Sequence, residues 1–201
     1  MFIELTDHLR CTADHAESYL VLLPELMDGR RVLQGDLGCP VCGRVVRIAG
    51  GVADFGGQPA SDPQTSLSAD ALAPLLGITG PGGYVALVGG VTSLAVPLGA
   101  LLPDVGLALI NPPDDAASPA GAGILRAARL PLKSGSMRGV VLGRGFSGAA
   151  SWVGDAVRAV LPGLRVIGEG GEPSEGVELL ARSPECWVGK KTASGLARSD
   201  G

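Results

Sequence analysis

Aromatic residues are nearly missing from this 201-residue chain, at 3% with three Phe, two Trp and two Tyr. A core must therefore be assembled from Val, Leu, Ile and Ala. Charge is scarce too: 18% of residues are charged against 46% hydrophobic, and the net charge is −4. A mildly acidic chain without a basic run has no global field that favours nucleic acid. Long apolar stretches are also lacking, and none approaches the roughly 18 consecutive residues of a membrane span. The N-terminus, Met1 to Asp7, has no basic region followed by an apolar one, so no signal peptide is expected. Cysteine is limited to Cys11, Cys39, Cys42 and Cys186, too few and too unevenly placed for a disulfide framework. A Cys-x-x-Cys pair without a secretion signal points to metal or redox chemistry in a reducing compartment, and a cytoplasmic location is expected.

Glycine and proline, at 32 and 15, are plentiful but follow no repeat. Residues 1–55 hold three of the four cysteines, both histidines and short strand candidates at 19–23, 31–34 and 45–48. Residues 56–65 have the Gly, Pro and polar composition of a linker. A short helix is expected over 66–76, with Gly77 beyond its end. Strand candidates follow at 84–88, 105–110, 139–143, 164–168 and 186–189, with helices expected over 92–102, 149–161 and 174–181. Apolar strands alternating with helices imply an α/β, Rossmann-like, mostly parallel sheet with helices on both faces over 66–191. Residues 192–201 read as a flexible tail.

Cys39-Pro40-Val41-Cys42-Gly43 has the form of a metal-binding knuckle, in which two thiolates three residues apart grip one tetrahedral ion. Cys11 and His15 are the expected second pair. His8 and Asp14 are rival ligands by spacing, and a buried Cys11 with a solvated His15 is the bland alternative. Four protein ligands would leave no open position, so the zinc expected there would be structural. These segments, with the closing run Ile48-Ala49-Gly50-Gly51-Val52-Ala53-Asp54-Phe55, resemble the short zinc-ribbon family that activates tRNA and release-factor methyltransferases. The family pattern has Cys-x-x-Cys in both halves, whereas here Asp14 stands in place of the second cysteine and His15 follows it. Bacterial relatives of that ribbon are often fused ahead of a methyltransferase domain.

Beyond the linker, the strand Tyr84-Val85-Ala86-Leu87-Val88 runs into Gly89-Gly90-Val91-Thr92-Ser93 and then an apolar helical run. A strand, a glycine turn and a helix start form a usual cradle for nucleotide-type ligands, because free N–H groups face the ligand there. This stretch, the approach Ala127 to Leu142 and the run Asp155 to Val166 resemble a class I S-adenosylmethionine-dependent methyltransferase, in that family's order. The resemblance implies a cofactor site at Gly89, Gly90 and Asn111, and the departures are concentrated there. Leu87 stands where an acidic residue ends the first strand. Val91 and Ser93 replace two glycines, and Asn111 replaces the carboxylate that takes the ribose hydroxyls. Ala127-Ala128 replaces the adenine-contacting pair, and Met137-Arg138 the pair before the fourth strand. After Glu178 one strand candidate remains, so the edge hairpin is expected to be reduced.

No catalytic residue is expected. Ser147 and Ser151 read as helix-start residues, Asp114-Asp115 as a solvated loop, and Glu169, Glu172 and Glu175 as a polar loop. The expected function is a non-catalytic binding or scaffold protein, with a protein partner or complex and with self-association left open by composition. S-adenosylmethionine binding is in doubt on these departures. The alternative is an active methyltransferase with a divergent cofactor loop, since methyl transfer needs little beyond positioning.

Overall fold

The computed structural model describes residues 1–61, 64–114, 119, 121–173 and 176–192. A four-residue helix, α1 (Ile3–Thr6), precedes four strands: β1 (Val21–Asp28), β2 (Arg31–Gly38), β3 (Val45–Ala49) and β4 (Val52–Phe55). Gly50 and Gly51, both at positive φ, make the two-residue turn between β3 and β4, where Ala49 faces Val52. Next come α2 (Ala69–Leu76), β5 (Tyr84–Val88), a 3₁₀ turn (Gly89–Leu94), α3 (Ala95–Leu101), β6 (Gly106–Ile110) and β7 (Ala122–Ala127). The described chain closes with β8 (Met137–Leu142), α4 (Ala150–Ala159), β9 (Val160–Glu169), β10 (Val177–Arg182) and β11 (Cys186–Lys191).

Among the described residues, eleven strands form one sheet in the order β1-β2-β3-β4-β7-β6-β5-β8-β9-β11-β10. The run from β4 through β9 is parallel throughout, and both flanks are antiparallel. Counted from β5, the centre reads 3-2-1-4-5, the doubly wound order in which ligands sit outside the carboxyl ends of the strands. Alternation along β5 divides the interior. Val85 and Leu87 join α2 and α3 on one face, while Ala86 and Val88 join α4 on the other. Ser68 caps α2 by accepting from the Ala71 amide at 3.3 Å, and Gly77, at φ 62°, ends it in the left-handed conformation.

Among the described residues, no helix lies between β6 and β7 or between β7 and β8. The N-terminal residues cover that part of the α4 face instead. Leu5 and Met1 pack so closely on Gly123 of β7 that a Cβ there would sit 2.3 Å from the Leu5 side chain. Leu9 bridges Leu132, with Arg10 N donating to Pro131 O at 2.9 Å and Lys133 N to His8 O at 2.8 Å. Strand β4 adds directly to β7, pairing Val52 with Ile124 and Phe55 with Ala127.

Two expectations are corrected at the far edge. The helix expected over 174–181 is strand β10, although Ser174 and Glu175 lie outside the described residues. Its Glu, Leu and Ala favour a helix locally, but pairing with β11 overrides that preference. The edge hairpin is therefore present rather than reduced. Among the described residues, no helix is long and apolar enough to cross a membrane. The tail beyond Thr192, together with Asp115 and the linker residues Asp62 and Pro63, lies outside the described residues.

Candidate functional site: a Cys/His cluster and a strand-end cleft

Cys11, His15, Cys39 and Cys42 converge, each offering one ligand atom, and the four atoms lie within 4.8 Å of one another. Cys11 Sγ is 3.7 Å from Cys42 Sγ, and Cys39 Sγ is 3.5 Å from His15 Nε2. The cluster does not include His8 or Asp14. His8 instead packs against Tyr84, with ring centroids 5.0 Å apart. The knuckle is held by Gly43 N donating to Cys39 O and by Cys39 N donating to Arg44 O. Gly43 has a φ of 72°, a turn conformation that costs glycine little. His15 Nδ1 lies 2.6 Å from Ala16 O; as the donor there, it leaves Nε2 as the ligand nitrogen facing Cys39. Burial acts to raise the Cys39 thiol. The backbone N–H groups of Cys42 and Val41, with the Cys42 and Cys11 thiols, outweigh it and bring Cys39 down from 9.0 to about 6. A thiol poised as thiolate is the metal-binding form, so this donor set can hold a metal ion.

At the carboxyl ends of the central strands, the glycine turn is packed shut. Gly89, Gly90, Val91 and Thr92 are all buried. Thr92 Oγ1 donates to Gly89 O at 2.6 Å and Ser93 Oγ to Gly90 O at 2.8 Å, closing the turn on itself. The Phe146 ring covers Gly89, and a Cβ there would lie 2.5 Å from it. From the other side, a Cβ on Gly143 would come within 3.3 Å of the Gly90 and Val91 nitrogens. Leu87 is fully buried in the core beneath α2 and α3. Arg138 is remote from the turn, and its guanidinium donates to the carbonyls of Thr79, Gly80, Pro81 and Gly82.

Asn111 follows β6 directly, at a φ of 51°, and is 2% exposed. Its Nδ2 donates to Ala127 O and its Oδ1 accepts from Ala127 N, both at 2.8 Å. The amide is thus spent as a two-pronged clamp between the ends of β6 and β7. Ala60 N donates to Asn111 O at 3.1 Å, and Gly57 lies directly on Ala127. A Cβ on Gly57 would stand 2.0 Å from the Ala127 nitrogen, against backbone that cannot step aside. Gly57→Ala is therefore expected to cost about 1–3 kcal/mol in denaturant melts and to raise amide exchange over residues 56–61.

Between this segment and the β8–α4 loop lies a cleft of about 500 Å³, walled by Gln58, Ala60, Ala128, Phe146 and Trp152. Among the described residues, Arg144 is its one charged lining residue. Phe146 and Trp152 meet edge to face at 4.8 Å and 79°. Behind the cleft, Glu169 is 1% exposed, which corrects its reading as a polar loop residue. Its Oε1 accepts from Ser66 N at 2.6 Å and Ser66 Oγ at 2.9 Å, and lies 3.4 Å from Arg144 Nε. Ser147 Oγ donates to Glu169 O at 2.5 Å, so this serine ties two strand ends together rather than starting a helix. Glu172 pairs with Arg182. Glu175 lies outside the described residues. Sequence reasoning misses Arg144, Phe146 and Trp152 and misreads Glu169. The available signal is positional, since Arg144 and Phe146 follow β8, Trp152 lies in the first turn of α4 and Glu169 ends β9, at the rim where such sheets bind ligands.

No protein-family model matches the chain, and no curated protein does. Among solved structures, the antibiotic-resistance methyltransferase Kmr is similar over 67% of this chain and 97% of its own, at 13% identity and a TM-score of 0.44. A SAM-dependent methyltransferase from Aquifex aeolicus is similar over 61% and 87%, at 12% identity and 0.43. A chain from the complex between the Haloferax volcanii Trm112 methyltransferase activator and a methyltransferase is similar over 48% and 50%, at 14% identity and 0.39. None of these three scores reaches 0.5, and the fold assignment stands on the strand order itself.

Proposed function

We propose that this chain is a non-catalytic binding or scaffold protein: a structural zinc module joined to a degenerate methyltransferase-type fold, working within a protein complex. The observation that carries it is the closed glycine turn, with Phe146 on Gly89 and the Asn111 amide committed to Ala127. A turn packed against Phe146 is poorly suited to the methionine part of S-adenosylmethionine, and an Asn111 amide bonded to Ala127 is poorly suited to its ribose. Among the described residues, the cleft lining holds no carboxylate for the donor's positive charges either.

The zinc assignment is supported by the spacing of the donors. A tetrahedral zinc with bonds of about 2.3 Å to sulfur and 2.0–2.1 Å to nitrogen places its ligand atoms roughly 3.8 Å (S to S) and 3.6 Å (S to N) apart. Two of the six separations, Cys11 to Cys42 and Cys39 to His15, are 3.7 and 3.5 Å, and all six lie within 4.8 Å. A protein partner is favoured by the apolar residues exposed beside the knuckle. Val21 and Val45 both lie opposite Gly38 on the same sheet face, and Tyr19, Leu23 and Val41 are more than half exposed.

Calorimetry with S-adenosylmethionine and S-adenosylhomocysteine tests the cofactor half. No heat of binding is expected at concentrations of about 100 µM, and a micromolar dissociation constant would overturn the proposal in favour of an active enzyme. Metal analysis of freshly purified protein tests the other half, with about one zinc per chain expected.

A further inference from the structure

The cleft at the strand ends is closed toward the glycine turn but open toward solvent, and it is chemically unlike a site for a cationic methyl donor. It has about 500 Å³ of space, within the usual range for small-molecule sites. One side is aromatic, formed by Phe146 and Trp152. Its single charged lining residue among those described is Arg144, although the chain as a whole is acidic. Arg144 is paired on one side and open to solvent on the other, its side chain 58% exposed. Its Nε lies 3.4 Å from Glu169 Oε1 in an ion pair, and that oxygen also accepts from the Ser66 amide and hydroxyl. Among the described residues, the two terminal guanidinium nitrogens have no hydrogen-bond partner. A guanidinium paired at Nε leaves those two nitrogens as a planar fork, the geometry that takes a carboxylate in two parallel hydrogen bonds.

We propose that this cleft binds a small organic anion with a planar aromatic body, the ring lying against Phe146 and Trp152 and the carboxylate on the Arg144 fork. The inference rests on the proposed function only in requiring the cleft to be free of S-adenosylmethionine. The aromatic pair supplies contact area and the guanidinium fork supplies sign selectivity. Asn111 is not called on, because its amide is already engaged.

Three probes of matched shape decide the matter on the full chain: 2-naphthoate, 2-naphthamide and 2-naphthylmethylammonium, titrated by calorimetry and by amide chemical shifts. The anion is expected to bind at least about 10-fold more tightly than the amide, with the ammonium weakest, and to shift resonances of residues 144–152. Arg144→Gln should bring the anion down to the level of the amide, and Arg144→Lys should recover part of the preference. Phe146→Leu should weaken anion and amide alike. Equal binding of the three probes, an anion affinity unchanged by Arg144→Gln, or no binding of naphthoate at all would each overturn the proposal. S-adenosylmethionine titrated alongside separates the two claims. If it does not bind and naphthoate also fails, the cleft inference falls alone; if it binds, the proposed function falls as well.

Discussion

Cys39→Ser is expected to release the metal and to loosen residues 1–55 as a unit. Cys39 sits at the centre of the donor set, 4% exposed, with a thiol already drawn toward thiolate by neighbouring N–H groups. A serine there cannot supply a soft ligand, and three remaining donors hold zinc far less tightly. Small modules of this kind take much of their folding free energy from the ion. Here the loss is tempered because β4 is paired into the main sheet through β7 and Leu5 of α1 packs on Gly123. A cost above about 4 kcal/mol is expected, lowering the melting temperature by roughly 10 °C. Metal content should fall from about one ion per chain to near zero, and exchange should rise first around Cys11–Ser18 and Cys39–Gly43. Chelation of the wild-type protein should reproduce the effect. A variant that keeps its metal, or melts with the parent, would refute the assignment.

Trp187→Ala should have an effect of similar size at the other end of the sheet. The indole is 1% exposed and lies on Gly168 of β9, where even a methyl group would stand 2.3 Å from the ring. Strand β11 joins β9 to the edge strand β10, so the ring anchors the whole terminal hairpin. Truncation of so large a buried side chain costs about 3–5 kcal/mol. Trp187→Phe should recover most of it, since among the described residues the buried indole Nε1 has no hydrogen-bond partner to lose. Urea denaturation of the two variants checks both statements. A loss under about 1 kcal/mol for the alanine variant would mean that the hairpin is not held by this residue.

What is legible in the sequence follows from which interactions are local. Strand β5 is observed over Tyr84–Val88, the range its five apolar residues mark, because a strand buried on both faces needs no partner to be recognised. The stop of α2 is visible in Gly77. The helix nevertheless begins at Ala69 rather than at Ser66, because the Ser66 amide and hydroxyl are engaged by the distant Glu169. Strand β7 escapes the sequence reading because Ala122-Gly123-Ile124-Leu125-Arg126-Ala127 is broken by Gly and Arg. Its glycine makes room for Leu5, and Arg126 reaches the loop beyond β6, so both depend on distant chain. The knuckle can be seen in Cys39 and Cys42, whereas spacing alone leaves His8, Asp14 and His15 as rivals. The irregular path between Arg10 and Tyr19 is what turns His15 inward. Asn111 can be picked out by its place at a strand end, but its engagement with Ala127 requires β7 to be known.

The closed turn yields most directly to hydrogen–deuterium exchange over residues 84–94, measured with and without S-adenosylhomocysteine at about 1 mM, a hundredfold above a binding constant of about 10 µM. The turn amides Gly89 to Leu94 are expected to be slow to exchange already in the free protein and to be unchanged by the ligand. Fast exchange in the free protein, followed by protection when the ligand is added, would contradict this and show an open, working cofactor cradle.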